Sequence, residues 1–232
     1  MIDYWTKNAN TRNSQIESGK DITFLEIFVP YYKSKVQMYQ PKKVLEIGAG
    51  TGHLALEISR LGIDISAIEP SLGMFNIAKE KCINMDIKNC AIGELKKICK
   101  YDLIISHLVV HTIDDFVKFV NDVKKHLSGK FIFSIPHPCF FKEYKNIEID
   151  NYQYINEIPA IISFNISLDD KNEINSVPYV HRPLSFYINN LIESDYKLEK
   201  INEIFPDIEI QKKYPRLWEN PRYCIIECSF YN

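Results

Sequence analysis

The stretch VLEIGAGTGHL, residues 44 to 54, gathers residue types that bind and position a small molecule. Glycines at 48, 50 and 52 allow a sharp turn and let the main chain approach a ligand with no Cβ in the way. A helix that starts directly after such a turn points its free N–H groups at the same place. A dinucleotide pyrophosphate asks for G-x-G-x-x-G at this position. Here the spacing is G-x-G-x-G, His53 comes next, and Glu46 lies two residues ahead of the first glycine. A carboxylate there repels pyrophosphate and attracts an ammonium group. Glu69 comes 21 residues after Gly48, where a carboxylate at the tip of a second strand accepts hydrogen bonds from both ribose hydroxyls. Any adenosine ligand satisfies Glu69 alone. The acid, the loop spacing and the distal Glu together select an adenosine ligand that carries an ammonium group.

Further along, His107 and His111 follow a fourth strand, at the sheet edge where α/β proteins bind ligands. Either is a candidate general base for a hydroxyl or amine, and either has a structural or solvent-facing reading in competition. Their i,i+4 spacing suits two metal ligands on a helix, but no third ligand accompanies them and no metal is expected. His137, between Pro136 and Pro138, is weighed in the same way. His181 and Arg182 precede a helix, where Arg182 either pairs with an acidic substrate group or anchors the covering segment by a salt bridge. Phe140, Phe141, Tyr144, Tyr152, Tyr154, Phe164 and Tyr179 crowd residues 138–180. They either stack on a planar or greasy substrate or pack that segment onto the sheet. Tyr4 and Trp5 either close over the ligand or staple the N-terminal helix. The six cysteines form no C-x-x-C pair, and Cys224 and Cys228 read as core on one strand face.

These residues need a scaffold, and the apolar pattern supplies one. Residues 1–41 read mostly as helix, interrupted at Pro30. Short apolar strands are predicted at Lys43–Ile47, Asp64–Ile68, Ile87–Ala91, Asp102–Ser106 and Lys130–Ile135. Helices fall between them: Leu54–Leu61, a segment capped by Ser71 and running to Lys81, and one capped by Asp114 or Asp115 and stopped by Gly129. This β-α alternation is the mark of a parallel sheet covered on both faces. Residues 136–182 show no clean period. A helix at 185–194 and two strands, Lys197–Ile204 and Arg222–Phe230, follow. The three prolines and the lack of an obvious helix in 205–221 imply that the two strands pair antiparallel.

Glu46-Ile47-Gly48-Ala49-Gly50-Thr51-Gly52 resembles the first motif of the class I S-adenosylmethionine-dependent methyltransferases. Ile68-Glu69-Pro70-Ser71 with Met74 is similar to the second, and Asp102–Ser106 with His111–Asp115 to the fourth. His181–Ser185 and the elements after it resemble the small-molecule branch that holds the ubiquinone and menaquinone methyltransferases. The resemblance covers about residues 43–230. It implies an α/β, doubly wound, seven-stranded, mostly parallel Rossmann-like sheet with an antiparallel last strand and a lid insertion after strand five. It also implies one domain over 1–232, with a helical cap at 1–41 and a substrate lid at 136–182. Gly48, Ala49 and Gly50 would line the methionine part of the cofactor, Glu46 its amino group, Glu69 with Pro70 the ribose, and Met74 the adenine. Ser106 would approach the methionine end from strand four. The family's acidic residue after strand three is missing from Ala91-Ile92-Gly93-Glu94, so Ala91 and Ile92 would recognise adenine through backbone groups. By residue type and position, not by the resemblance, Tyr4, Trp5, His137, Phe140, His181 and Arg182 are the candidate substrate contacts.

Composition narrows the acceptor. A net charge of −2 gives no basic face for nucleic acid. The first 20 residues are polar and no apolar run reaches the ~18 residues of a membrane span, so a cytoplasmic protein with reduced thiols is expected. The expected reaction moves a methyl group from S-adenosylmethionine to an O, N or C nucleophile of a small molecule, leaving S-adenosylhomocysteine. Three alternatives stand beside it: an RNA or protein methyltransferase, a non-catalytic S-adenosylmethionine-binding protein, and a nicotinamide oxidoreductase, the last disfavoured by the glycine spacing.

Overall fold

The computed structural model describes residues 4–145, 147–149, 151–166 and 168–230. Five strands come first: β1 (Lys43–Ile47), β2 (Asp64–Ile68), β3 (Asp86–Lys88), β4 (Tyr101–His107) and β5 (Leu127–Pro136); β3 is a polar three-residue edge strand that ends before the predicted Ala91. They pair parallel, with Val44 level with Ile65 on one side and Leu103 on the other. Next come β6 (Ile158–Ile166) and β7 (Asp169–His181), an antiparallel pair forming a separate two-stranded sheet. The chain returns to the main sheet as β8 (Tyr196–Ile204) and β9 (Tyr223–Phe230). The main sheet runs β3-β2-β1-β4-β5-β9-β8, and β9 is antiparallel to both neighbours. The expected doubly wound, seven-stranded sheet with an antiparallel last strand is therefore present.

Eight α-helices are found among the described residues: α1 (Ala9–Glu17), α2 (Val29–Tyr39), α3 (His53–Ser59), α4 (Leu72–Lys81), α5 (Phe116–His126), α6 (Phe141–Lys145), α7 (Leu184–Glu193) and α8 (Ile208–Gln211). Alternation along the strands sorts the core into two layers. Val44, Leu103, Ile105 and Ile132 face Phe28, Tyr32, Leu54 and Ile58. Leu45, Ile104, Phe131 and Phe133 face Phe119, Val120, Val123 and Leu191. Each such buried side chain contributes about 1.5–3 kcal/mol relative to exposure. Asp115 caps α5, its carboxylate accepting from the Lys118 N–H at 2.8 Å, and Lys124 and Lys125 close the helix at its negative end.

Several local expectations change. Gly129 does not stop α5; β5 begins at Leu127, and Gly129 lies within it. A Cβ at 129 would sit 2.2 Å from the Asp102 carbonyl oxygen, so close strand contact is what requires glycine there. Pro30 does not break the helical region. Having no N–H to give, it sits in the first turn of α2, after a wider turn over Phe24–Phe28 in which the Val29 N–H bonds to the Phe24 carbonyl. Residues 136–182 hold α6 and the β6–β7 hairpin, whose period is hidden because β6 alternates weakly and β7 carries a polar first half. The four-residue α8 lies in the stretch that reads as irregular.

A buried acid ties the N-terminal helices to the sheet. Glu227 of β9 accepts from Tyr31 at 2.5 Å and Tyr39 at 2.7 Å, and pairs with Lys35 at 2.7 Å. Burial pushes its carboxyl up, but the bonds from Lys35, Tyr31 and Tyr39 outweigh this and hold it at about 2. The stabilisation is complete above the ordinary glutamate range near 4.5 and is lost as pH falls toward 2. Glu227→Gln is expected to flatten the fall in melting temperature between pH 4.5 and 3. An unchanged acid limb would show that the cluster does not govern it.

Candidate active site

The strand order reverses between β1 and β4, and a crevice opens beyond their C-terminal ends, the usual ligand position of such sheets. A cavity of about 400 Å³ fills it, floored by the loop after β1 and roofed by the N-terminal helices and the β6–β7 hairpin. The loop is shaped by glycine at each of the three expected places, with φ of 71° at Gly48, 55° at Gly50 and 81° at Gly52. At Gly48 a side chain is also excluded by space, since a Cβ would lie 2.3 Å from Val109 Cγ2. At Gly50 a Cβ would meet nothing within 4 Å: the backbone there borders open cavity.

Two carboxylates face this side. Glu69 ends the turn after β2, its Oε2 accepting from the Gly50 N–H at 2.7 Å and its Oε1 from the Ser71 N–H at 2.8 Å. Those bonds lock the glycine loop to the β2 tip. Glu46 is buried, and its Oε2 has no hydrogen-bond partner among the described residues. Burial first, and the charge of Glu69 second, push its carboxyl up to about 8. An orphaned carboxylate oxygen on a cavity wall is a site for a cationic donor. Pro70, Ser71 and Met74 continue the wall.

The opposite side is aromatic. His107 lies against Phe24, Phe28 and Tyr32, with ring centroids 5.5, 4.3 and 5.7 Å away, and its Nδ1 is 2.9 Å from Ser134 Oγ. Burial holds its imidazole down at about 3. His111 is pulled down to about 3 as well, by burial and then by the charge of Arg182, and its buried Nδ1 has no hydrogen-bond partner among the described residues. Both histidines are neutral at physiological pH. Between them Leu108 takes φ 51°, a left-handed conformation that costs about 1–3 kcal/mol for a residue of this kind. Its N–H bonds to Ser134 Oγ at 3.0 Å, which holds the turn.

Residues 40–201 match the Methyltransferase domain family, more than half of the chain. The chain belongs to this family. An uncharacterised methyltransferase of Alkaliphilus oremlandii is 25% identical over 74% of this chain and 92% of its own length. The ribosomal protein L11 methyltransferase of Lactobacillus johnsonii is 34% identical, but over 42% of this chain and only 32% of its own. Among solved structures, an S-adenosylmethionine-dependent methyltransferase from Clostridium acetobutylicum aligns with a TM-score of 0.69 at 16% identity, covering 98% of this chain and 99% of the other. The chain is thus a methyltransferase enzyme with the fold of that neighbour.

In this methyltransferase domain the cavity brings together Glu46, Gly48, Ala49, Gly50, Glu69, Pro70, Met74, His107, His111, Tyr4 and Trp5. Other predicted residues stand outside its wall. Ser106 is fully buried on the opposite face of β4 from His107, because side chains alternate along a strand. Ala91 spends its N–H on the Glu94 carboxylate at 2.7 Å, and Ile92 is packed into the core. His137 donates from Nε2 to Glu203 at 2.9 Å while its Nδ1 accepts the Cys139 N–H, and Phe140 rests on its ring. His181 meets the Tyr154 carbonyl at 2.9 Å. Arg182, 1% exposed, binds Glu157 and the Asp114 carbonyl, so it anchors the hairpin to the start of α5 instead of facing the cavity. The wall also includes residues that sequence reasoning missed, among them Arg12, Asp21, Phe24, Thr51, Val109, Lys145 and Tyr223. Only the covering position of the N-terminal helices could have pointed to the first three.

Proposed function

We propose that this enzyme transfers a methyl group from S-adenosylmethionine to a small molecule held between the glycine loop and the β6–β7 hairpin. The observation that carries it is the pairing of an orphaned, buried Glu46 oxygen with the Glu69-locked glycine loop in one cavity. These residues fit the cofactor: Glu46 for its ammonium, Gly48–Gly50 for the methionine chain, Glu69 for the ribose and Met74 for the adenine. When bound, the cofactor supplies a methyl group made electrophilic by its sulfonium. The protein's part is then mostly positioning. His111 Nδ1 is the candidate to orient the acceptor by accepting a hydrogen bond, since it is buried on the aromatic side and lacks a partner among the described residues. Tyr4 and Trp5 join the hairpin in covering the cavity, so residues 136–182 serve as the lid and 1–41 as the cap. The enclosure supports a small acceptor over a protein or RNA chain.

Calorimetric titration of the purified protein tests this. S-Adenosylmethionine and S-adenosylhomocysteine are expected to bind one per chain, and NAD not at all. Binding of NAD alone would overturn the assignment.

A further inference from the structure

The acceptor side of the cavity has a charge and a shape of its own. Lys145, at the end of α6, lines the cavity. Its ammonium donates to the Asn165 carbonyl at 2.5 Å and lies over the rings of Tyr144 and Phe164, 4.8 and 5.2 Å from their centroids. The nearby carboxylate, Asp21, is already committed to Arg12 at 2.7 Å and to the Phe24 N–H at 3.0 Å. Arg222 stacks on the same Tyr144 ring at 3.9 Å and adds a second positive charge behind it. Burial holds the Lys145 ammonium below the usual lysine range. A half-buried cation bonded to the Tyr144 side chain and the Asn165 carbonyl, among rings and near another cation, gains from an anionic ligand.

The cavity is thus polarised. Glu46 and Glu69 make the loop side acidic and suited to a cation, whereas Lys145, with Arg222 stacked on the wall residue Tyr144, makes the hairpin side basic, and the Arg12–Asp21 pair on the wall neutralises itself. Shape adds the second constraint. Phe24, Phe28, Phe141, Tyr144, Phe164 and Tyr223 line the space between, and ring faces select a flat ligand.

We infer that the methyl acceptor is a planar aromatic molecule bearing an anionic group, a carboxylate or an ionised phenol, which pairs with Lys145 while the ring lies among the aromatic side chains. This deepens the methyl-transfer reading and rests on it. The anion fixes which edge of the ring points away from the hairpin, so Lys145 sets orientation as well as affinity.

The test uses protein saturated with S-adenosylhomocysteine, titrated with 2-naphthoate, 4-nitrophenolate, 2-naphthamide and cyclohexanecarboxylate. At least one aromatic anion is expected to bind at a single site. The neutral amide and the non-planar acid should each bind about tenfold more weakly or worse, a difference of about 1.4 kcal/mol. Lys145→Gln should lose the aromatic anion to the same extent with S-adenosylhomocysteine affinity unchanged, and Lys145→Arg should recover part of it. Amide binding as tight as naphthoate binding, indifference to Lys145→Gln, or failure of both aromatic anions would overturn the inference. If Lys145→Gln also lost S-adenosylhomocysteine, the naphthoate-to-naphthamide ratio in the parent protein would decide. Failure of S-adenosylhomocysteine to bind the parent protein would instead sink the methyl-transfer reading itself.

Discussion

Glu69→Ala is expected to weaken S-adenosylhomocysteine binding by about 100-fold or more. On the proposed reading the carboxylate accepts from both ribose hydroxyls, and hydrogen bonds to a charged group are each worth about 1.5–3 kcal/mol. Two of them amount to more than two factors of ten in affinity. The same side chain fixes the Gly50 and Ser71 N–H groups, so its loss also loosens the loop that frames the cofactor. Glu69→Gln keeps one acceptor oxygen and should fall between the two. Glu94→Ala provides the control: that carboxylate caps the Ala91 N–H outside the cavity wall, and its removal should leave affinity within a factor of two or three. Unchanged binding in Glu69→Ala would remove the ribose assignment.

That prediction was open to sequence reasoning because everything it needs is local. A glycine loop, an acid two residues before it and an acid at the next strand tip lie in adjoining elements, and parallel pairing of β1 with β2 brings them together. Four of the five parallel strands were legible for a related reason, since strands buried on both faces are short apolar runs bounded by turns, whereas the exposed edge strand β3 carries only one apolar residue and its ends were not. Ser106 and His107 show where that logic stops. Both lie at the end of β4, but alternation sends one into the core and the other to the cavity, and the strand's last pleat decides which. The acceptor side was less legible still. Lys145, Asp21, Tyr223 and Phe164 come from four distant segments joined only by the hairpin folding back over the N-terminal helices. Asn8 with Asn175 and Lys20 with Asp169 make that junction, across sequence separations that no short-range pattern reports. Arg182 and His181 drew notice by type and position, yet burial against Glu157 and the Tyr154 carbonyl turned them to holding the hairpin.

Glu46 carries the second large effect, a dependence of cofactor binding on pH. Without ligand its carboxyl keeps a proton up to about 8, because burial and the charge of Glu69 both oppose ionisation. The cofactor's ammonium favours the ionised form, so binding below pH 8 must expel that proton. Affinity for S-adenosylhomocysteine should rise by up to about tenfold per pH unit from 6 toward 8. It should level off as pH passes 8 and fall where the ligand's own amino group begins to lose its charge. The sign for stability is opposite. A raised carboxyl binds its proton more tightly in the folded chain, so its contribution is complete below about 4.5 and is lost as pH rises through 8. Glu46 thus destabilises the empty enzyme in the range where it best receives the cofactor, and the ligand's ammonium offsets that strain. Calorimetry in buffers of different ionisation enthalpy reads the released proton directly. Methylthioadenosine, which has the adenosine but no amino-acid chain, should bind without pH dependence, and Glu46→Gln should abolish it for S-adenosylhomocysteine. An equal slope for methylthioadenosine, or a slope that survives Glu46→Gln, would place the proton elsewhere and leave the orphaned oxygen without a role in cofactor binding.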